Sequence, residues 1–215
     1  MTNLPYKFIA IEGVIGVGKT SLATKLARYY KGEVLLEPVE ENPFLDKFYK
    51  NVEGFAFQTQ IFFLFARYRQ MKNLKQTKIF FDMIVSDYMF DKDRIFANLN
   101  LDENEFQLYE HIIKFIEQDI TSPDLVIYLQ ASPERIMERI KKRNRSFEQD
   151  ISLEYINELS RNYSNFFTYY KTCPVLMVNV DDVDLSKEQS PLSQIIQEIE
   201  KPFSGIKFLK PISIN

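Results

Sequence analysis

Short apolar segments alternate with longer amphipathic segments along most of the chain. Apolar runs of strand length occur at residues 7–12, 34–36, 79–85, 125–129 and 175–180. Stretches with helical spacing separate most of these runs. Strands that alternate with helices in this way predict an α/β fold built on a parallel sheet.

The predicted helices lie where apolar residues recur every three or four positions. They span residues 21–30, 55–73, 103–120, 133–143 and 153–170, and Ser152 is a capping candidate for the last of them. Helices that connect parallel strands cover both faces of the sheet. Because no repeat or linker interrupts this order, we expect a single domain over residues 1–215 in which the tail, 204–215, has no assignable role.

The overall charge argues against binding to a nucleic acid polymer. The 215 residues carry a net charge of −3, and the sequence pI is about 5.4. Such a surface lacks the positive field that attracts DNA or RNA. Any binding of phosphate is therefore expected to be local.

Two further features predict a soluble, cytoplasmic protein. The single cysteine, Cys173, cannot form an internal disulfide, and this usage suits a reducing compartment. No window reaches 18 apolar residues without a charge, so neither a membrane span nor a membrane partner is expected.

A phosphate-binding motif follows the first predicted strand. Gly13-Val14-Ile15-Gly16-Val17-Gly18-Lys19-Thr20 matches G-x-x-x-x-G-K-[ST], and Ser21 then begins the first predicted helix. In such a P-loop the backbone N–H groups and the helix N-terminus bind phosphate oxygens. We expect Lys19 to contact the β- and γ-phosphates of ATP and Thr20 to bind Mg²⁺.

A carboxylate stands directly after the second predicted strand. Ligands of open parallel sheets bind outside the carboxyl ends of the strands, so Glu37 is expected to point at the reaction centre. A carboxylate in this position can accept the proton of an attacking hydroxyl group. The alternative is an acidic residue in an exposed loop.

Several motifs together resemble the deoxyribonucleoside kinase family. They are the P-loop, the segment EPVEENPF at 37–44, Gln60 seven residues before Arg67, and the arginine-rich stretch at 136–149. The resemblance covers about residues 8–180. It implies a five-stranded parallel sheet of order 2-3-1-4-5 with helices on both faces, an arginine-rich lid at about 139–150, and a homodimer.

The resemblance also assigns residues to the substrate. It implies that Glu37 is the general base on the 5′-hydroxyl of a deoxynucleoside, and that Tyr49 and Glu148 bind the 3′-hydroxyl. Gln60 would bind the base edge, for which an amide offers both donors and an acceptor. Arg67, two helical turns further on, is expected to pair with an acidic partner such as Asp93 or with the base itself. The alternative for Arg67 is a surface salt bridge.

The resemblance identifies three lid arginines, Arg139, Arg143 and Arg145. Guanidinium groups that close over transferring phosphates neutralise the developing charge, so a catalytic role is expected. The alternative is a solvated basic helix face.

The third strand departs from the family pattern. The family usually ends this strand with Glu/Asp-Arg-Ser, whereas here Asp87 is followed by Tyr88 and Met89. Asp87 remains available to Mg²⁺ and to the substrate site. Arg94 is one candidate for the missing arginine, and a bacterial branch with an Asp-Tyr version is the other explanation.

Two other functions compete with a deoxynucleoside kinase that prefers purine deoxynucleosides. A thymidylate-kinase-like nucleoside monophosphate kinase would share the P-loop and the lid, but Glu37, Glu40 and Glu41 would repel a second phosphate group. A nucleotide-binding regulatory protein is suggested only by Tyr88.

Overall fold

The computed structural model describes residues 4–50 and 52–213, without the side chains of residues 75–80 and 119. Its strands form one parallel sheet of order β2-β3-β1-β4-β5-β6. Their bounds are Phe8–Glu12 for β1, Glu33–Leu35 for β2, Ile84–Ser86 for β3, Leu125–Gln130 for β4, Val175–Asn179 for β5 and Ile206–Leu209 for β6.

The prediction of a five-stranded sheet is wrong, because the tail adds a sixth strand. Strand β6 runs parallel to β5, with Val175 paired to Ile206. Its four residues alternate between exposed and half-buried and include Lys207, so they lack the apolar run of an inner strand. An edge strand with one neighbour needs only this weaker pattern.

The observed helices agree with the predicted ones where the apolar pattern in the sequence is long. The helices are α1 Lys19–Tyr30, α2 Leu45–Tyr49, α3 Phe55–Phe80, α4 Lys92–Asn100, α5 Glu103–Ile116, α6 Pro133–Arg143, α7 Leu153–Tyr169 and α8 Ser190–Ile199. The bounds of α6 are those predicted, and the hydroxyl of Ser152 caps α7 by accepting from Tyr155 N. The sequence missed α2, α4 and α8.

The predicted third strand began too early. Helix α3 continues through residues 79 and 80, and β3 starts only at Ile84. An apolar run of this length fits either a buried strand or a buried helix end, so periodicity could not locate the boundary. Helix α5 is shorter than predicted, since a 3₁₀ turn at Glu117–Asp119 follows it.

The core lies on both faces of the sheet. Ile9 and Ile11 of β1 pack with α1 and α8 on one face. Ala10 packs with α6 and α7, and Phe8 with α3 and α5, on the other face. This alternation buries the sheet on both sides and leaves the carboxyl ends of the strands to form a site. Among the described residues, no helix is both long and apolar enough to cross a bilayer.

Candidate active site

The P-loop connects β1 to α1 in a conformation that requires glycine. Gly13 has φ 144°, and a Cβ there would lie 2.5 Å from the carbonyl oxygen of Leu129. Gly16 has φ 83°, and a Cβ there would lie 2.7 Å from Cγ1 of Ile140 in α6. The loop is therefore fixed against both β4 and the arginine-rich helix.

Lys19 points back into the loop. Its ammonium donates to the carbonyl oxygens of Gly13 at 2.8 Å and Val14 at 3.1 Å. Burial, followed by the like charge of Lys92, lowers the pKa of Lys19 to about 8. Among the described residues the hydrogen-bond partners of this cation are carbonyl oxygens, so its charge is available for an anion at the loop.

Thr20 and Asp87 bring the P-loop and the end of β3 together. The hydroxyl of Thr20 donates to Asp87 Oδ2 at 2.5 Å, and the backbone N–H of Glu37 donates to Oδ1 at 2.8 Å. A hydroxyl and a carboxylate are hard oxygen ligands of the kind that Mg²⁺ prefers. Among the described residues, no group of three or more metal-ligating side chains occurs.

Glu37 is held by two cations. Its Oε1 accepts from Arg67 Nε at 2.8 Å and Nη2 at 2.5 Å, and its Oε2 accepts from Lys92 Nζ at 2.6 Å. Its side chain is only 7% exposed. Burial opposes ionisation, but the charges of Lys92 and Arg67 outweigh it and lower the pKa of Glu37 to about 2. Glu37 is therefore a carboxylate at neutral pH.

Arg67 connects Glu37 to the predicted base-binding residues. Its Nη1 donates to Asp93 Oδ1, so Arg67 pairs with Asp93, one of its two predicted partners. The amide nitrogen of Gln60 donates to the backbone oxygen and to Oδ2 of Asp93, both at 2.9 Å. With this assignment of the amide, Gln60 Oε1 is left as an acceptor at the wall of the cavity.

Two cavities meet at the P-loop. The first contains most of the predicted substrate residues, among them Glu37, Tyr49, Gln60 and Glu148, with aromatic walls. The second is lined by the P-loop, α6 and residues 184–186. Both cavities are lined by Gly16, Lys19, Thr20, Arg143 and Arg145. A donor and an acceptor bound in the two cavities would meet where these residues lie.

The three lid arginines have different partners. Arg143 makes a two-point ion pair with Glu148, and Arg145 lies 3.8 Å from Glu148 and 3.6 Å from Glu40. Arg139 instead donates to three backbone carbonyls, those of Val17, Val180 and Val183. Burial, with the charge of Arg135, lowers the pKa of Arg139.

The position after Asp87 is occupied by a buried phenol. The Tyr88 hydroxyl donates to Gln70 Oε1 at 2.5 Å, and burial raises its pKa. Arg94 does not replace the family's arginine in this structure, because it pairs with Glu110 and Glu117. Lys92 lies in the site instead, and it was not predicted because α4 was not predicted.

A buried acid behind the P-loop was also missed. Glu12, the last residue of β1, accepts from Met89 N at 2.7 Å, Gly13 N at 3.1 Å and the hydroxyl of Tyr163 at 3.1 Å. Burial raises its pKa. A charged residue that ends a fully apolar strand was the available signal, since a buried acid needs specific partners.

These features together define a P-loop phosphotransferase: a P-loop between two cavities, a carboxylate after the second strand, and arginines at the junction. Sequence comparison is more specific. The profile of the deoxynucleoside kinase family matches residues 9–204, and the chain belongs to this family. It is therefore an enzyme of the kinase class.

Individual relatives cover most of the chain. A deoxyguanosine kinase of Bacillus subtilis is 34% identical over 203 residues, which are 90% of this chain and 96% of the relative. A deoxyadenosine kinase of Dictyostelium discoideum is 34% identical over 213 residues, covering 95% and 82%. Among solved structures, deoxyadenosine kinase from M. mycoides with bound dATP has a TM-score of 0.76 and 30% identity, covering 91% of this chain and all of that one.

Proposed function

We propose that the protein transfers the γ-phosphate of ATP to the 5′-hydroxyl of a deoxynucleoside, with purine deoxynucleosides preferred. The observation that carries this proposal is the junction of two cavities at Lys19 and Thr20, with the Glu37 carboxylate lining only one of them. ATP fits the cavity beside the P-loop, and the deoxynucleoside fits the cavity that holds Glu37.

Glu37 has room for one further hydrogen bond. A carboxylate offers about four lone-pair sites, and Arg67 uses two on Oε1 while Lys92 uses one on Oε2. The remaining site on Oε2 can accept the 5′-hydroxyl. A base with a pKa of about 2 is weak, but phosphoryl transfer relies mainly on positioning and charge, so its first task is to orient the nucleophile.

Thr20 and Asp87 are the residues that would hold Mg²⁺. Their oxygen atoms already lie within hydrogen-bond distance of each other. When bound, the ion neutralises charge that develops on the phosphate oxygens. Lys19 and the backbone N–H groups of residues 13–21 would bind the phosphates of ATP.

The deoxynucleoside would be recognised at both ends. Gln60, with Asp93 and Arg67 behind it, would bind the base, and its free acceptor suits an exocyclic amino group or a ring N–H. Tyr49 and Glu148 would bind the 3′-hydroxyl. Both residues line the same cavity as Gln60. The purine preference follows relatives named as deoxyguanosine and deoxyadenosine kinases.

The segment at about 139–150 would act as a lid. Arg143 and Arg145 line both cavities, so a small movement would bring their guanidinium groups onto the transferring phosphate. Arg143 would then exchange Glu148 for phosphate, and Glu148 would become available to the sugar.

We also propose a cytoplasmic homodimer, as the family resemblance implies. Helix α5 exposes Leu108 at 51% and Phe115 at 85%, and Phe65 of the adjacent helix α3 is 47% exposed. A second copy of the chain would cover these apolar side chains. The unpaired Cys173 thiol suits a reducing compartment.

The test is phosphorylation of the four deoxynucleosides and their monophosphates with ATP and Mg²⁺. We expect turnover of purine deoxynucleosides, and a fall in kcat of about 10²- to 10⁴-fold in Glu37→Gln because the nucleophile loses its anionic acceptor and base. Glu41→Gln, an exposed acid in the same segment, is the matched control and should retain activity. Turnover of monophosphates alone would overturn the proposal, and ATP binding without turnover would favour a regulatory protein.

A further inference from the structure

One cation is missing from the place where the family carries it. Tyr88 stands where the family has an arginine directly after the strand-end acid, and its hydroxyl bonds to Gln70. Asp87 nevertheless accepts from the backbone N–H of Glu37, and the two acids line the same cavity. Carboxylates in a poorly solvated site need positive charge nearby.

Lys92 supplies positive charge from a different element. It lies in the first turn of α4, is only 4% exposed, and its ammonium is 2.6 Å from Glu37 Oε2. Glu37 is the one hydrogen-bond acceptor of this ammonium among the described residues. The ring of Phe96, with its centroid 5.4 Å away, covers another side.

The burial of Lys92 costs free energy, so a role in the site explains its position better than stability does. Burying a lysine loses hydration and side-chain freedom, and a buried ion pair is often no more stabilising than packed apolar residues. Burial and, after it, the like charge of Lys92 lower the pKa of Lys19, so this placement also opposes protonation of the P-loop lysine. The pair of Lys92 and Glu37 also lies at the wall of the cavity proposed for the deoxynucleoside, which both side chains line.

We propose that Lys92 is a positioning residue for phosphoryl transfer and replaces, from helix α4, the cation that the family carries after the third strand. Its ammonium fixes the Glu37 carboxylate so that one lone pair of Oε2 faces the 5′-hydroxyl. This inference rests on the function proposed for Glu37.

The choice of lysine fits the hydrogen bonds around Glu37. Arg67 already presents two N–H groups to Oε1, and a second planar fork would compete for the lone pairs of Oε2. An ammonium is a compact point charge that needs only one of them. It also keeps two N–H groups that Glu37 does not use, on a side chain that lines the cavity.

A double-mutant cycle tests whether Lys92 acts through Glu37. Lys92→Met should lower kcat about 10²-fold in the native background, with the KM for ATP unchanged, because the acceptor of the hydroxyl is no longer held. In the Glu37→Gln background the same substitution should lower kcat less than about twofold, because there is no carboxylate to position. Lys92→Arg should recover part of the loss.

Controls separate this role from a structural one. Arg94→Met removes a cation from the same helix that pairs with Glu110 and Glu117, and it should leave kcat unchanged. If Lys92→Met does not fold, the cycle is made with Lys92→Gln, which is one atom shorter but keeps a polar end without charge. Melting temperature and ATP binding are recorded for every variant.

Two results would overturn the proposal. Equal losses of kcat in the native and Glu37→Gln backgrounds would show that Lys92 acts independently of Glu37. Full activity of Lys92→Met would leave it a structural lysine. The proposed function is decided separately, by whether the unsubstituted protein phosphorylates deoxynucleosides at all.

Discussion

Thr20 and Asp87 are joined by a hydrogen bond of 2.5 Å between hydroxyl and carboxylate, although 67 residues separate them in the chain. The contact connects the start of α1 to the end of β3. It therefore holds the two side chains proposed for Mg²⁺ side by side.

The first prediction concerns Mg²⁺ dependence. Asp87→Asn keeps the shape of the side chain but removes the charge that attracts the ion. We expect the Mg²⁺ concentration for half-maximal activity to rise about tenfold or more, equivalent to about 1.4 kcal/mol. Asp82→Asn, an exposed acid before the same strand, is the control. An unchanged Mg²⁺ titration for Asp87→Asn would remove Asp87 from the metal site.

The second prediction concerns recognition of the base. Gln60→Leu removes the amide that donates to Asp93 and the acceptor beside it. We expect the KM for the deoxynucleoside to rise tenfold or more, in line with about 1–3 kcal/mol for a lost buried hydrogen bond, with the KM for ATP unchanged. Gln58→Leu alters an exposed residue of the same helix and should change neither. A parallel rise in both KM values would instead indicate a distorted fold.

The sequence was informative where physical constraints are local. The P-loop glycines predicted the turn between β1 and α1, because their positive φ angles and close contacts exclude other residues. Helix α6 was predicted to the residue, since Pro133 begins it and Asn144, in a left-handed conformation, ends it.

The sequence was least informative where buried charges replace apolar residues. Helix α4 buries Lys92 and Asp93 in its first turn, so the usual periodic pattern is broken there. The partners of these charges are Glu37, Gln60 and Arg67, which lie 26 to 55 residues away. Only the folded structure brings them together.

A third prediction follows from Asp181, which anchors the start of α6. Its Oδ1 accepts from the backbone N–H of Ser132 at 2.7 Å and from its hydroxyl at 2.8 Å. Burial works against ionisation, but these hydrogen bonds outweigh it and lower the pKa of Asp181 below its usual value. The stabilisation is therefore present above the pKa of the unfolded state and is lost as the pH falls through the folded-state pKa.

The measurement is urea unfolding of Asp181→Asn at a series of pH values from 7 downward. At pH 7 we expect the free energy of unfolding to fall by about 1 kcal/mol, a value discounted for the partial exposure of the side chain. The difference between the two proteins should shrink as the pH is lowered. Asp182→Asn, whose partner Lys210 is exposed, is the control. A difference that does not depend on pH would show that the charge of Asp181 is not responsible.

The last prediction separates the lid arginines by their partners. Arg139 satisfies the carbonyls of Val17, Val180 and Val183 and so connects the P-loop to the segment after β5. Arg139→Met leaves these acceptors without their donor, so we expect a lower melting temperature and a raised KM for ATP, with a smaller effect on kcat. Within the part of the chain that the structure describes, the ion-pair partners of Arg145 are distant, at 3.6 and 3.8 Å. Arg145→Met should therefore change stability little but lower kcat about 10²- to 10³-fold if this guanidinium reaches the transferring phosphate.

Thermal unfolding and steady-state kinetics of both variants test this difference between Arg139 and Arg145. A loss of kcat in Arg139→Met as large as that in Arg145→Met, at unchanged stability, would instead support a direct catalytic role for Arg139.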